Sequence, residues 1–209
     1  MTTLSIQQTI HEVQEKIGQV PDPETRRTLD FQLKTGCRIS EAVGKYAVRK
    51  EDLIITKWKE KEVALVQLHT AKHKGRPRIL AYPTEKAQDI IALFERAKPQ
   101  GKVFRYGEDK IQKDCQRFFK GIDYLIEPYG NRKETDRFGN SLKVTFKEEH
   151  DRQASTHALR HFRYTELRII YGFSDTDTDI WFGWIPKNMG RRYAYEMWLN
   201  WSVYIDKLL

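Results

Sequence analysis

The chain has 209 residues, of which 37 are Lys or Arg and 29 are Asp or Glu, so its formal net charge at pH 7 is +8. Hydrophobic residues make up 39% and aromatic residues 12%, a composition that excludes a disordered chain and can supply one good core. No apolar run approaches the ~20 residues of a membrane-spanning helix, and the first ten residues lack the pattern of a secretory signal. The basic excess favours a nucleic-acid partner, and we expect an intracellular protein.

Cysteine and histidine give no pattern of a metal site. Cys37 and Cys115 are too far apart for a ligand pair, so we expect reduced thiols, with a disulfide as the alternative. His69, His73 and His150 are scattered and have no carboxylate or thiol partners in the sequence. The sequence therefore predicts no structural metal.

Helices are predicted first along the chain. An amphipathic segment over 5–17 ends at Gly18 and forms a helical extension within residues 1–23. A helix is predicted over Glu24–Lys34 and ends at Thr35-Gly36. A short helix follows over Ser40–Tyr46.

A small antiparallel sheet comes next. Leu53–Trp58, Val63–His69 and Arg78–Tyr82 are rich in β-branched and aromatic residues and are separated by turns. The polar segment Lys72–Pro77 is then the tip of the last hairpin.

The second half is predicted to be helical apart from a charged, turn-rich insertion over 128–153, which has one possible strand at Ser141–Phe146. A helix is predicted to close the chain over 194–209. The sum is an α+β fold in a single domain over residues 1–209. The predicted helical segments are Thr84–Ala97, Glu108–Tyr124, Ser155–Gly172, Ser174–Gly183 and Pro186–Leu209.

Three segments stand out for their chemistry. They are Thr35-Gly36-Cys37-Arg38-Ile39-Ser40-Glu41, then Thr156-His157-Ala158-Leu159-Arg160-His161, and last Gly183-Trp184 with Tyr193 nine residues further on. Each alone has an ordinary explanation: a surface ion pair, a polar helix face, or a packed tyrosine. Their order and spacing together are far more specific.

Together these segments resemble the catalytic domain of the tyrosine recombinases, a family that includes phage integrases and the Xer chromosome-dimer resolvases. The family signature is an Arg in Thr-Gly-x-Arg-x-Ser-Glu, a Lys on a β-hairpin, His-x-x-Arg, a His or Trp, and a nucleophilic Tyr. The resemblance runs from about Glu24 to Trp198. It implies a mostly helical fold with a small sheet, and site-specific DNA recombination through a covalent 3′-phosphotyrosine without a metal or cofactor.

The resemblance assigns Arg38 and Arg160 to a clamp on the non-bridging oxygens of the phosphate, a task that suits planar guanidinium groups. His157 lies one helical turn before Arg160, on the same face, and could share the proton of the nucleophile. Trp184 takes the position where many relatives have His. Its indole N–H can bind a phosphate oxygen but cannot transfer a proton.

Tyr193 is the predicted nucleophile. Tyr195 is the alternative, but two residues along a helix turn it roughly 200° away from Tyr193. Lys72 on the hairpin is assigned as the general acid for the leaving 5′-oxygen, with Lys74 as the alternative. The competing interpretation is a basic hairpin tip that only contacts backbone phosphates.

Further residues are predicted to support the site. Glu41 would buttress Arg38 or cap the following helix, and His161 would pack or bond within the site. The residues predicted to contact DNA are Lys74, Arg76, Arg78, Arg191 and Arg192.

The chain departs from the family at both ends. Only about two dozen residues precede the first matching helix, so a separate N-terminal core-binding domain is not expected in this chain. The chain is then either a fragment of a longer recombinase or a short recombinase that binds its site differently, with the charged stretch 130–152 as a candidate for extra DNA contact. At the other end an apolar stripe from Met197 to Leu208 either packs in cis or docks on a neighbouring protomer. We expect a monomer in free solution and a tetramer assembled on a recombination site in double-stranded DNA.

Two other functions stay open. A type IB topoisomerase-like or telomere-resolving enzyme would use the same residues without exchanging partners, and strand transfer between two duplexes would distinguish it. A DNA-binding regulator that kept the fold but lost catalysis is the other alternative. Retention of Arg38, His157, Arg160 and a suitably spaced Tyr argues against it.

Overall fold

Helices and two small antiparallel sheets make up the α+β fold of the computed structural model, which describes residues 3–120, 122, 131–135, 141–145, 154–186 and 189–209. The helices are α1 (Thr3–Gly18), α2 (Pro23–Thr35), α3 (Ile39–Ala42), α4 (Gln88–Glu95), α5 (Glu108–Phe118), α6 (Thr156–Ile169), α7 (Asp175–Phe182) and α8 (Arg191–Met197). The strands are β1 (Leu53–Trp58), β2 (Lys61–Thr70), β3 (Arg76–Pro83), β4 (Asn131–Thr135) and β5 (Ser141–Thr145).

Helix α2 has clear start and stop residues, and both lie where the sequence predicts them. Asp22 caps its N-terminus by accepting a hydrogen bond from the Thr25 N–H at 2.7 Å. Gly36 ends it with a left-handed φ of 63°. A Cβ at Gly36 would lie 2.6 Å from Cε1 of Phe182, so the close approach of α7 also requires glycine here. Because Gly36 lies against α7, the residues that follow it, 37–41, begin next to that helix.

The central sheet has the strand order β1-β2-β3, and both pairs are antiparallel, which confirms the predicted sheet. β2 is the middle strand, and Val66 pairs with Leu80 of β3. β3 begins at Arg76, earlier than predicted, so the hairpin tip is the shorter stretch 71–75. A 3₁₀ turn over Ala71–His73 and a left-handed Lys74 form this tip.

The end of the chain corrects the predicted C-terminal helix over 194–209. Helix α8 stops at Met197, and two 3₁₀ turns follow at Trp201–Val203 and Ile205–Lys207. The reason is the sheet, because β3 has hydrogen-bonding groups left on its outer edge. Ile79 N–H donates to Trp198 O at 3.1 Å, and the Tyr204 hydroxyl donates to Ile79 O at 3.0 Å. These contacts need an irregular backbone.

The apolar stripe of this C-terminal segment packs in cis. Tyr204, Ile205 and Leu208 are buried in the main core, which also contains residues of the sheet and α7. Trp198 is buried as well. Of the two arrangements left open by the sequence, the structure therefore has the stripe covered by its own chain.

A second core lies between α1, α2, α5 and α6. Its buried residues include Val13, Leu29, Ile111 and Leu159, so the N-terminal helix packs on the domain. Cys37 lies in the main core, and Cys115 in the second core. Both thiols are free and buried, and burial raises the pKa of each to about 12.

Other predicted bounds change by a few residues. Helix α4 begins at Gln88 instead of Thr84, and α5 ends at Phe118. Within the predicted insertion, β4 and β5 pair as an antiparallel hairpin, while the rest of 128–153 lies outside the described residues. The predicted DNA contact by 130–152 therefore lies largely outside what the structure describes. In the described part of the chain, no helix is long and apolar enough to cross a membrane.

Candidate active site

Arg38 follows directly after α2 and is the N-cap residue of α3. Its backbone N–H donates to Glu41 Oε2 at 3.0 Å, and its Nη1 donates to Glu41 Oε1 at 3.0 Å. Glu41 thus makes both contacts that the sequence suggested, capping the helix and holding the guanidinium. The Arg38 side chain keeps 24% of its surface exposed, whereas that of Glu41 is fully buried.

Arg78 is the second guanidinium on Glu41, and its placement corrects the prediction that it contacts DNA. Its side chain is fully buried, with Nη2 at 3.0 Å from Glu41 Oε2 and Nη1 donating to Trp181 O. The strand pattern could have revealed this, since Arg78 lies two residues before the buried Leu80 and so faces the same side of β3. A group in this position orients Glu41 and has no surface left for DNA.

A glycine makes room for Arg78. Gly183 ends α7 with a φ of 63°, and a Cβ there would lie 2.9 Å from both Arg78 Cδ and Thr70 Cγ2. Gly183, the first residue of the Gly-Trp pair in the third sequence segment, therefore packs against the β2–β3 hairpin. This close approach connects α7, the hairpin and the Glu41 carboxylate.

Arg160 is the third guanidinium and comes from α6. Its Nη1 donates to Gly36 O at 2.6 Å and its Nη2 to Phe182 O at 3.0 Å, and only 3% of the residue is exposed. The guanidinium carbon lies 4.6 Å from the centre of the Phe182 ring. Burial and the positive charge of Arg78 lower the pKa of Arg160 to about 9, so it is still a cation at neutral pH.

Arg38, Arg78, Arg160 and Glu41 form what we call the arginine cluster. Burial opposes ionisation of Glu41, but the charges of Arg78, Arg160 and Arg38 hold the pKa of its carboxyl below the usual value. Three positive charges therefore face one negative charge, which leaves a net charge of +2 within the cluster. Buried charges that remain unbalanced are costly, and an anion bound beside Arg38 would reduce that cost.

The tip of the β2–β3 hairpin reaches the same region. Burial lowers the pKa of His73, and the positive charges of Lys72, Arg38 and Arg191 lower it further. The His73 ring also lies 5.2 Å from the ring of Trp198. Lys72 itself is exposed. The predicted general acid therefore lies on the exposed hairpin tip, where it can meet a ligand from solvent.

Beside the tip lies an open cleft of about 520 Å³, which we call the hairpin cleft. It is polar, and cations dominate its lining. Its defining residues are Lys72, His73, Arg76, Arg191 and Tyr195.

The two candidate tyrosines differ sharply in environment. The Tyr195 ring lies in the hairpin cleft, where it packs against the Trp198 ring at 4.9 Å and at an angle of 60°. The Arg76 guanidinium lies 5.0 Å from the centre of the Tyr195 ring. Tyr193 is 68% exposed, and among the described residues its phenol makes no hydrogen bond or ring contact. The helix thus separates the two rings as its geometry requires, with Tyr195 packed and Tyr193 in solvent.

His157 and Trp184 are held by neighbouring aromatic groups. His157 lies at the start of α6, where the Ser155 side chain caps the helix, and its ring meets that of His161 edge-on at 4.9 Å. Trp184 stacks on Phe182 at 5.0 Å and 22°. The Arg160 guanidinium lies 5.7 Å from the Trp184 ring. Trp184 therefore borders the arginine cluster, and α6 connects His157 to it through Arg160.

The remaining predicted DNA contacts are on the surface. Lys74, Arg76, Arg191 and Arg192 are all exposed, and Arg192 pairs with Glu196 at 3.5 Å. Among the described residues, no group of three or more His, Cys, Asp or Glu side chains is placed to hold a metal ion.

The structure thus brings together the predicted Arg38, Arg160, Glu41 and Trp184, and it adds Arg78 in a role that the sequence interpretation missed. Comparison of the chain with models of protein families, with curated proteins and with solved structures finds no match. Any functional conclusion therefore rests on the geometry and on the sequence motifs.

Proposed function

We propose that this chain is the catalytic domain of a tyrosine recombinase, which cuts and rejoins DNA at a specific site through a covalent 3′-phosphotyrosine. The observation that carries the proposal is the arginine cluster. Segments as distant as residues 38, 78 and 160 contribute guanidinium groups around one buried carboxylate. Such an oriented, positively charged site suits a phosphodiester better than a neutral substrate.

The cluster would act on the transition state. Attack by a phenol oxygen on a phosphodiester increases the negative charge on the non-bridging oxygens, and pre-oriented donors stabilise that charge without reorganising. Arg38 is the accessible donor of the cluster, and Arg160 lies behind it, fixed by two backbone carbonyls. Arg78 is a positioning residue, because it touches Glu41 and acts on the substrate only through Arg38.

The proton transfers are assigned to groups around the cluster. The Tyr193 oxygen attacks phosphorus and its proton passes to His157, while the 5′-oxygen leaves with a proton from Lys72. In the second half the 5′-hydroxyl of a strand attacks the phosphotyrosine, and the phenol is released. Cleavage replaces one phosphate ester with another, and rejoining replaces the phosphotyrosine with a new DNA phosphodiester. The bond energy is therefore kept, and the reaction requires no ATP.

Tyr193 remains the proposed nucleophile because its phenol is exposed and has no packing role to lose. Tyr195 packs against Trp198 and Arg76, and these contacts would have to break before its oxygen could attack. The cis packing of the C-terminal stripe leaves it unavailable to a partner, which supports a monomer in free solution and assembly of the proposed tetramer on DNA.

The proposal is tested by trapping the covalent intermediate. Because the target sequence is unknown, the substrate is a library of nicked duplexes with a randomised central segment, which lose the leaving fragment after cleavage. We expect wild-type protein to retain covalent DNA on a denaturing gel, Tyr193→Phe to retain none, and Tyr195→Phe to keep most of it.

Peptide mapping of the adduct provides the control. If the DNA is attached to Tyr195, then Tyr195 and not Tyr193 is the nucleophile. If the wild type enriches no covalent DNA above the level of the Tyr193→Phe protein, the recombinase proposal is rejected.

A further inference from the structure

A second concentration of positive charge lies away from the arginine cluster. It is an open cleft of about 310 Å³ between the N-terminal half of α2, the end of α4 and the loop that follows α4. We call it the α2–α4 cleft. Its charged lining residues are Glu24, Arg27, Arg96, Lys98, Lys102 and Arg105.

Cations in this cleft far outnumber acids. Glu24 is the one acidic residue of the lining, and both of its oxygens are occupied: Oε2 pairs with Arg27 at 2.7 Å and Oε1 accepts the Arg105 N–H at 2.6 Å. Five positive charges against one leave a net charge of +4.

The cations that lie away from Glu24 have no acidic partner among the described residues. Arg96, Lys98 and Lys102 are exposed, and their side chains have no carboxylate partner within the part of the chain that the structure describes. Their charges are thus available to a ligand.

The loop that carries two of these lysines is held in place by its backbone. Gly101 N–H donates to Lys98 O at 2.8 Å, and Lys50 N–H donates to Gly101 O at 3.0 Å. The Arg49 guanidinium donates to Gln100 O at 2.9 Å, and the Lys50 ammonium donates to carbonyls at the end of α4. Folding therefore fixes Lys98 and Lys102 near other cations without neutralising them, an arrangement that favours a ligand with several negative charges.

We propose that the α2–α4 cleft binds the phosphate backbone of the same DNA duplex whose scissile phosphate meets Arg38. The identity of that duplex rests on the proposed function. A nucleic-acid backbone fits better than a single small anion, because the cations are spread along an open cleft and the one buried charged residue of its lining, Glu24, is acidic.

The two sites have a defined separation. Glu24 and Arg27 lie near the start of α2, and Arg38 follows its end. The 13 residues of α2 at 1.5 Å each span about 20 Å. Since base pairs are spaced by about 3.4 Å, a duplex that runs along α2 would meet the cleft about six base pairs from the cut. The cleft would thereby help to set the register of the protein on its DNA arm.

The first test measures DNA binding and does not depend on cleavage. The variant Lys98→Ala/Lys102→Ala removes two exposed cations of the cleft, and Lys57→Ala/Lys61→Ala removes two exposed cations from the β1–β2 hairpin as a matched control. Affinity for a duplex of about 30 base pairs is measured by fluorescence anisotropy over a range of KCl concentrations. We expect the slope of log affinity against log salt to become shallower by about 1.8 in the cleft variant, since each lost phosphate contact contributes about 0.9.

The control should keep the wild-type slope. An unchanged slope in the cleft variant, or an equal change in the control, overturns the proposal. Competition by poly-glutamate as strong as that by DNA would also overturn it, in favour of an acidic protein partner.

The second test examines the register with the trapped adduct. Substrates have arms either shorter or longer than about six base pairs on the side of the cut that faces the cleft. The cleft variant should trap fewer long-arm substrates than wild type but as many short-arm ones. An equal loss on both overturns the register. A protein that forms no adduct but keeps the cleft-dependent slope would reject the proposed function and leave the binding site standing.

Discussion

The arginine cluster and the α2–α4 cleft hold positive charge in opposite ways. In the cluster, Arg78 and Arg160 are buried and donate to backbone carbonyls, and Glu41 fixes Arg38 as well. In the cleft, Lys98 and Lys102 have exposed side chains, and it is the backbone of their loop that is held by hydrogen bonds. A few oriented charges suit one phosphate, whereas exposed charges spread along a cleft suit a longer stretch of phosphate backbone.

This difference predicts different responses to substitution and salt. Buried, hydrogen-bonded charges are little screened, so single changes in the cluster should have large effects that persist at high salt. Exposed charges are screened over about 8 Å at physiological ionic strength, so the cleft should respond in small, salt-dependent steps. The salt series on Lys98→Ala/Lys102→Ala tests the cleft, and three substitutions test the cluster and the adjoining hairpin tip.

The largest effect is expected for Glu41→Ala. It removes the one carboxylate that Arg38 and Arg78 share and leaves buried cations unpaired, so the free energy of unfolding should fall by about 3–5 kcal/mol. Urea unfolding measures the change, with the exposed Glu62→Ala as the control at about 0.5 kcal/mol or less. If the two variants lose equal stability, Glu41 does not hold the cluster together.

A smaller but still large effect is expected for Arg38→Lys. The charge is kept, but an ammonium has no planar pair of donors for Glu41 and a phosphate oxygen together, so the rate of adduct formation should fall by about 10²–10³-fold. Arg192→Lys is the matched control because Arg192 is exposed and, within the described residues, forms its ion pair with Glu196 alone. If the rate of adduct formation falls by less than about tenfold, Arg38 does not stabilise the transition state.

The smallest of the three effects is expected for Lys72→Ala on the exposed hairpin tip. If Lys72 protonates the leaving 5′-oxygen, cleavage should slow by about 10²-fold. A substrate with a bridging 5′-sulfur should restore the rate, because a thiolate leaves without a proton. Lys74→Ala serves as the comparison. Rescue by sulfur in Lys74→Ala but not in Lys72→Ala would exchange the two roles.

The local part of the site could be predicted from the sequence. Arg38 and Glu41 are three residues apart across a helix start, so a capping contact between them follows from backbone geometry alone. The shared face of His157 and Arg160 follows from helix periodicity in the same way. The predicted sheet was also confirmed, because alternation and turn residues are local patterns.

Arg78 was misplaced because its two partners, Glu41 and Trp181, are 37 and 103 residues away. The motif interpretation treated it as one of several hairpin cations, although its position relative to Leu80 already placed it on the inner face. The predicted C-terminal helix failed for a similar reason. Helical spacing of apolar residues continued past Met197, but hydrogen bonds to β3 outweighed it.

The sequence alone determined where α2 begins and ends, which residues alternate in the sheet, and which side chains share a face of α6. Each of these depends on backbone dihedral angles and neighbours within one or two turns. Tertiary structure alone decided that Arg78 pairs with Glu41, that Tyr195 and not Tyr193 lies in the hairpin cleft, and that cations from α2 and the loop after α4 share one cleft. Those outcomes depend on which distant segments pack together, and that is decided by the burial and hydrogen bonding of the whole chain.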